Sequence, residues 1–267
     1  MNSIQGKRVL LTGATGGIGK AMLQLLLVSG AEVVVTGRDE TVLNQLASAA
    51  QGRVYPFAAD LNDEQNRQAL YALCAAAGGI DILINNAGIS QFSAHTEQDF
   101  AALITTNLLS PMQLTQLFMP MLKQRAGTVL NVGSTFGSIG YAGFSGYCAS
   151  KFGLRGYTEA LQRELADSKV QVLYLAPRAT RTAINSPEVD ALNQALGQGV
   201  DLPEQVAKAL IEQLVNGDKR RYLGTAENIF IRLNALLPGL VDRALGSKLK
   251  QIKQYFRSAT AKNSVGV

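Results

Sequence analysis

Tryptophan is absent from this 267-residue chain, histidine occurs once, at His95, and cysteine twice, at Cys74 and Cys148. The two cysteines fall in separate apolar, helix-patterned stretches, so neither a disulfide framework nor a zinc site is indicated and a reducing compartment is expected. One histidine without accompanying Cys/His or clustered-carboxylate spacing supplies no metal chemistry, and His95 reads as a loop or helix-entry residue. No apolar run reaches the roughly 18 residues that cross a bilayer. The N-terminal MNSIQGKRVLLTG lacks the charged region, apolar core and cleavage site of a signal peptide. A cytoplasmic protein is expected, with attachment to a membrane surface left open. Basic and aromatic residues interleaved across a folded face are also missing, which argues against a nucleic-acid partner.

The charge that is present is unevenly placed. Net charge is +5, yet from Lys219 onward ten lysines and arginines face only Glu227 and Asp242, a local balance of +8 that leaves −3 for everything before. Hydrophobic residues make up 47% and glycine contributes 26 positions, enough to build one well-buried domain. Short runs rich in Val, Ile and Leu alternate with longer amphipathic stretches. Strands are expected at Arg8 to Thr12, Glu32 to Thr36, Arg53 to Ala58, Asp81 to Asn85, Thr128 to Gly133 and Val170 to Ala176, with a shorter one at Arg221 to Leu223. Runs this apolar, with little alternation, are what a parallel sheet covered on both faces requires. The fold class is therefore α/β: a doubly wound parallel sheet of Rossmann type with six to seven strands and helices on both faces. Residues 1–225 are assigned to the nucleotide-binding and catalytic domain, and 226–267 to a basic helical extension of it.

Directly after the first strand comes T-G-A-T-G-G-I-G, Thr12 to Gly19, leading into a helix expected over Lys20 to Ser29. Gly13 permits a tight turn, Gly17 lets backbone approach a pyrophosphate, and Gly19 lets helix and strand pack closely; Thr15, Gly16 and Ile18 complete the turn. The helix N-terminus supplies free N–H groups and the positive end of a dipole. The second strand ends T-G-R-D, and Arg38 stands where an NADP site places a cation for the 2′-phosphate, which a planar guanidinium meets with two charge-assisted bonds. Asp39 and Glu40 suit the first turn of the following helix, although Asp39 leaves NAD(H) open. Further on, Y-C-A-S-K puts the Tyr147 phenol and the Lys151 ammonium on one helix face, four residues apart. A cation there favours phenolate and lowers the tyrosine pKa, as acid/base work near neutrality requires. Ser134 follows the fifth strand and falls at the carboxyl edge of the sheet.

With these motifs in hand, the chain resembles the short-chain dehydrogenase/reductase family in its compact form, from about Lys7 to about Thr182. The glycine turn matches at Gly13, Gly17 and Gly19, Asp60-Leu61 matches the family's adenine-contacting pair, and Asn85-Asn86-Ala87-Gly88 matches the turn after the fourth strand. Asn107, Ser134, Tyr147 and Lys151 complete the family's tetrad in order and spacing. The resemblance implies that hydride moves between nicotinamide and substrate carbon while Tyr147 handles the proton and Ser134 hydrogen-bonds the oxygen. It implies that Lys151 holds the nicotinamide ribose and tunes Tyr147, that Asn107 positions a water joining Lys151 to solvent, and that the protein is a homo-oligomer. Pro177 and Thr182 match the family's cofactor-contacting segment after the sixth strand. Arg178, however, replaces the usual glycine; Arg178 and Arg181 are read either as contacts for an anionic substrate or cofactor phosphate, or as solvated loop residues.

Substrate residues are expected in Ser90 to Phe92, at Phe136, Tyr141 and Phe144, and in a lid-like loop from Thr182 to Gly199. Their apolar character points to a lipophilic carbonyl or alcohol. In the tail, Val241, Leu245, Leu249, Ile252 and Phe256 form one apolar face, and Arg243, Lys250 and Arg257 line another. Such a helix lies on an anionic membrane surface, packs on a neighbouring subunit or covers the substrate mouth. The reading is an NADP(H) oxidoreductase acting on a small lipophilic carbonyl compound. Its alternatives are a 3-oxoacyl-thioester reductase, a hydroxysteroid-type dehydrogenase, or a non-catalytic nucleotide-sensing or membrane-peripheral protein.

Overall fold

The computed structural model describes residues 3–50 and 52–263, with side chains described as far as Phe256. Its first half runs β1 (Arg8–Thr12), α1 (Gly17–Val28), β2 (Glu32–Gly37), α2 (Glu40–Ser48), β3 (Val54–Ala58), α3 (Glu64–Ala76) and β4 (Ile82–Asn85). Then follow α4 (Phe100–Ile104), α5 (Ser110–Arg125), β5 (Thr128–Val132), α6 (Ser145–Glu164), β6 (Gln171–Ala176) and α7 (Pro187–Ala195). The last elements are α8 (Pro203–Asn216), β7 (Arg220–Tyr222), α9 (Thr225–Leu236) and α10 (Pro238–Asn263).

All seven strands pair in parallel, in the order β3-β2-β1-β4-β5-β6-β7. Pro56, which has no N–H for a ladder, sits in edge strand β3, where a missing donor is tolerated. Along the central strands the side chains alternate between two apolar layers. Val9, Leu11, Val33, Val35, Ile82 and Ile84 pack with α1 and α8 on one face. Leu10, Val34, Leu83 and Val129 pack with α3 and α5 on the other. Both faces are dry, which is why the strands read as continuous hydrophobic runs. The doubly wound expectation is met with seven strands.

Chain direction reverses across the sheet between β1 and β4, and this seam is tied by one hydroxyl. Thr12 Oγ1 donates to the Ile84 carbonyl (3.2 Å) and accepts from the amides of Asn86 (2.9 Å) and Ala87 (3.0 Å). The Asn86 side-chain amide returns to the carbonyls of Thr12 and Gly13. A second polar chain crosses the next pair of strands: Asn85 donates to Asn131 (2.8 Å) and Thr115, and Asn131 donates to Thr158 (2.9 Å). It joins α5, β4, β5 and α6 inside the core, where hydrogen-bonded polar groups specify register as well as contact, and leaves Asn85 Oδ1 buried without a partner.

Three expectations are corrected. Helix α1 begins at Gly17 rather than Lys20, because the glycine turn itself winds into the first helical turn and leaves its amides facing the strand ends. The stretch from Thr182 to Gly199 is not an open loop: Ser186 accepts from the Val189 amide and Pro187 opens α7, so the N-S-P turn signal is a helix start. In α10, Val241 and Ile252 are buried but Leu249 is exposed. At about 100° per residue, Leu249 lies roughly 80° from Val241 whereas Lys248 lies within about 20°, and Lys248, though exposed, is the one that lines the cleft. Arg257, assigned to the basic stripe, lies outside the described side chains.

Replacing Thr12 with Val leaves the Ala87 amide without its acceptor, and the expected loss is about 1–3 kcal/mol of unfolding free energy. Urea denaturation of Thr12→Val beside Thr12→Ser, which keeps the hydroxyl, checks this.

Candidate active site

The glycine turn forms by steric necessity. Gly13 has φ +66°, and a Cβ there would lie 2.7 Å from Ala87 Cα, so the turn touches the segment after β4 backbone to backbone. A Cβ on Gly19 would lie 2.2 Å from the Gly13 carbonyl oxygen, so α1 packs on the turn only with glycine there. Gly16 closes the turn through its amide onto the Gly13 carbonyl (3.2 Å). A Cβ on Gly17 would meet the Thr182 methyl at 2.9 Å, which brings the segment after β6 against the start of α1. The Thr182 hydroxyl is buried there with no hydrogen-bond partner. Thr15 packs beside Gly37 at the end of β2. Next to it Arg38 is exposed and has no ion pair among the described residues, while the Asp39 carboxylate is occupied in capping α2 through the Val42 amide (3.0 Å). Asp60 lies exposed past the end of β3 and accepts from the Asn62 amide; Leu61 is partly buried, its carbonyl taking bonds from Arg67 and Ser110.

These segments open onto a cleft of about 380 Å³ at the carboxyl ends of the strands. Ile18, Asn86, Gly88 and Thr182 line one end. Ser134, Tyr147 and Lys151 line its floor, with Pro177 beside them. Ser134 ends β5 and caps the short 3-10 turn Thr135–Gly137 by accepting from the Phe136 amide, so its structural and site positions coincide. Ser134 is near enough to the Tyr147 hydroxyl to favour its phenolate form. Lys151, one turn further along α6, donates to the Val132 carbonyl (3.0 Å) and stands 5.8 Å from the centre of the Tyr147 ring. The expected common face of α6 is therefore present.

The electrostatics differ from the expectation. Burial pushes the Tyr147 phenol up to about 12, a rise that Ser134 only partly offsets. Burial also lowers Lys151 to about 8. Desolvation thus outweighs the lysine's stabilisation of phenolate, because the ammonium is itself 5% exposed and disfavoured by the same low-dielectric surroundings.

Asn107 lies in a π-helical turn, Thr105–Leu109, between α4 and α5. Its carbonyl accepts from the Ile89 amide (2.8 Å), and its amide donates to the Ile89 carbonyl (2.9 Å) and the Ser150 hydroxyl (3.0 Å). The side chain is a clamp on the segment after Gly88. A Cβ at Gly88 would stand 3.1 Å from Asn107 Oδ1 and 3.7 Å from Lys151 Nζ, so that glycine separates the two.

The three substrate candidates form one aromatic wall. Phe136 stacks on Tyr141 (5.0 Å, 17°) and meets Phe144 at 5.2 Å, and both phenylalanines approach Tyr147 edge-on at 6.3–6.4 Å. Ser90 also lines the cleft. Phe92 is buried behind the wall, against Phe144 and Phe256.

Arg178 is neither a solvated residue nor a free anion receptor. It pairs with Asp201 (2.7 Å) and Glu227 (3.3 Å), joining the β6 loop to the approach to α8 and the start of α9. Both acids are distant in sequence, which hid the pairing. Arg181 is exposed. Sequence reasoning also missed Ser150, whose only signal is its place inside Y-C-A-S-K, and the cleft residues Phe230 and Lys248, which follow no motif; Asn193 comes from the expected Thr182–Gly199 segment.

Comparison with known proteins agrees with this architecture. Residues 7–193 match the family described as short chain dehydrogenase. The 3-oxoacyl-(acyl-carrier-protein) reductase FabG of Vibrio cholerae is 34% identical over 221 residues, covering 78% of this chain and 89% of that protein. Two solved structures share the fold. A Burkholderia phymatum short chain dehydrogenase/reductase in complex with NAD has a TM-score of 0.81 at 21% identity, over 90% of this chain and 96% of that one. A Burkholderia cenocepacia short chain dehydrogenase in complex with NADP has a TM-score of 0.79 at 23% identity, over 91% and 99%. By the extent of the family match and the identity to FabG, the chain belongs to the short-chain dehydrogenase/reductase family of oxidoreductases.

Proposed function

We propose that this protein is an NADP(H)-dependent oxidoreductase that interconverts a carbonyl and an alcohol on a lipophilic small molecule. The observation that carries the reading is the convergence of Ser134, Tyr147 and Lys151 on the floor of one aromatic-walled cleft that continues into the glycine turn. A dinucleotide fits the residues present: the start of α1 at the glycine turn has no side-chain cap, and the buried Thr182 hydroxyl lacks a partner. When bound, a nicotinamide cofactor supplies or accepts the hydride. NAD- and NADP-bound neighbours of the same fold support that cofactor class. Arg38, unpaired at the end of β2, supports the phosphorylated form, and Asp39, engaged as a helix cap, is drawn away from a ribose-accepting role.

In the reducing direction the Tyr147 phenol donates its proton to the substrate oxygen, and Ser134 donates a hydrogen bond that holds that oxygen. A phenol with a raised pKa is protonated at neutral pH, as a donor must be. In the oxidising direction Tyr147 must start as the phenolate and accept the alcohol proton, and the Lys151 ammonium supports that phenolate. Asn107 fixes Ile89 and with it the backbone beside Lys151; the water it positions is part of this proposal. Phe136, Tyr141 and Phe144 hold an apolar substrate body and exclude water. The likeness to FabG favours a 3-oxoacyl thioester as one form of that substrate. Exposed Phe100, Leu109 and Phe152 support self-association of the chain.

NADPH oxidation against a panel of ketones, aldehydes and acyl thioesters tests the reading; no turnover with any member counts against it. Tyr147→Phe should lower kcat by roughly 10²–10⁴-fold, the usual contribution of a positioned acid/base, while NADPH fluorescence titration shows binding retained. Arg38→Ala should raise KM for NADPH by about 10–100-fold, the value of a charge-assisted phosphate contact, and leave KM for NADH nearly unchanged. Because burial holds Lys151 near 8, its ammonium is present below that pH and lost above it. The pH profile of kcat/KM for NADPH, which reports the unliganded protein, should therefore fall on the alkaline side near 8, a limb that Lys151→Arg moves upward.

A further inference from the structure

Helices α9 and α10 form a hairpin with two distinct sides. Inward, Phe230 and Leu245 line the cleft, Ile231, Val241 and Ile252 are buried, and Phe256 packs edge-on to Phe92. Outward, the turn between the helices carries the sequence Leu236-Leu237-Pro238-Gly239-Leu240, and its three leucines are 79%, 53% and 50% exposed. Ile229, two turns back on the same face of α9, is 62% exposed. A Cβ at Gly239 or Gly246 would meet nothing within 4 Å, so the tip and the outer face of α10 stand clear of the fold. Four large apolar side chains this exposed and this close together exceed what a soluble surface ordinarily scatters.

The charges around the tip are predominantly positive. Arg232, Arg243, Lys250 and Lys253 are exposed on the same two helices, and none has an ion pair among the described residues. Glu227, one of the two acids after Lys219, is already paired with Arg178, which leaves Asp242 as the acid beside the tip. A second copy of this surface would bring these cations together without counter-charge, whereas an anionic lipid surface accepts both features at once: leucines enter the headgroup boundary and cations remain among the phosphates. Among the described residues no helix is long and apolar enough to span a bilayer, so contact would be peripheral.

We propose that the α9–α10 hairpin docks the protein on an anionic membrane surface, the Leu236–Leu240 tip entering the interface and the flanking cations holding the headgroups. Since the inner side of the same hairpin lines the cleft, docking places the cleft wall beside the lipid phase from which an apolar substrate would come.

Cosedimentation with vesicles of phosphatidylcholine containing about one-third phosphatidylglycerol tests this; binding to phosphatidylcholine alone should be at least about tenfold weaker. Leu236→Glu/Leu237→Glu should lower binding to the anionic vesicles by about tenfold or more, since two apolar anchors become like-charged with the surface. Arg243→Gln/Lys250→Gln should lower it by several-fold and flatten its salt dependence. Both variants should keep the wild-type melting temperature and turnover of a water-soluble ketone, so the outcome is separate from the catalytic reading. A full-length chain that stays in the supernatant overturns the proposal. So does a glutamate variant that sediments with vesicles as wild type does, or whose sole change is loss of a dimer in sedimentation velocity, which would assign the tip to a second copy.

Discussion

The site is organised around a buried ammonium. Lys151 is 5% exposed and makes one hydrogen bond among the described residues, to the Val132 carbonyl at the end of β5. An ammonium has three donors, so the remaining two face Gly88 and the cleft without a protein acceptor recorded for them. Burial answers this deficit by lowering the lysine to about 8, and raises the neighbouring phenol to about 12. Both groups are pushed toward neutral forms by the same scarcity of solvent. A bound molecule bringing hydroxyl acceptors to Lys151 would reverse the balance, raising the lysine, whose charge would then bring the tyrosine down. On the proposed reading, acid/base competence and cofactor occupancy are linked through this one cation.

That arrangement requires a stiff support, and the topology supplies it. The β1–β4 seam is where the strand order reverses, which makes it the natural opening for a ligand. Thr12 and Asn86 close it with hydrogen bonds running in both directions between the glycine turn and the segment after β4. The Asn85–Asn131–Thr158 chain fixes β4 and β5 relative to α6, and α6 carries both Tyr147 and Lys151. Asn85, quoted in the sequence with the cofactor turn, therefore belongs to the core beneath it. Asn107 completes the frame from the opposite side by clamping Ile89, and the π-helical turn it occupies is the local irregularity that lets a helix side chain reach back to a loop.

The parts legible in the sequence were those whose constraint is local. A glycine forced by φ +66° at Gly13, a phenol and an amine one helical turn apart, and strands dry on both faces all leave marks within a few residues. The parts that were not legible depend on partners far along the chain. Arg178 finds Asp201 and Glu227 at separations of 23 and 49 residues, and only the folded chain distinguishes that ion-paired stitch from a loop cation seeking an anion. Helix α7 was hidden for another reason: Ser-Pro starts helices and makes turns with the same chemistry. Tyr147 was placed correctly but its proton affinity was not, because spacing reports proximity to a cation and says nothing of how dry that cation is.

The ion-paired stitch also explains how the C-terminal hairpin comes to wall the cleft. Glu227 sits in the first turn of α9, and its bond to Arg178 fixes the start of that helix to the β6 loop, the segment that carries Pro177 and Thr182. A glycine at position 178 would leave backbone space but no such tie. A side chain there, anchored from both sides by carboxylates, exchanges that space for a fixed orientation of α9, and through the short turn after Leu236 for that of α10. Ile252 and Phe256 then reach the aromatic layer behind Phe144, and Lys248 turns to the cleft mouth while Leu249 is left outside. The inner face of the hairpin is thus determined by one arginine near the cofactor end of the site, and its outer face, free of the fold, retains the leucines and unpaired cations that a partner surface must satisfy.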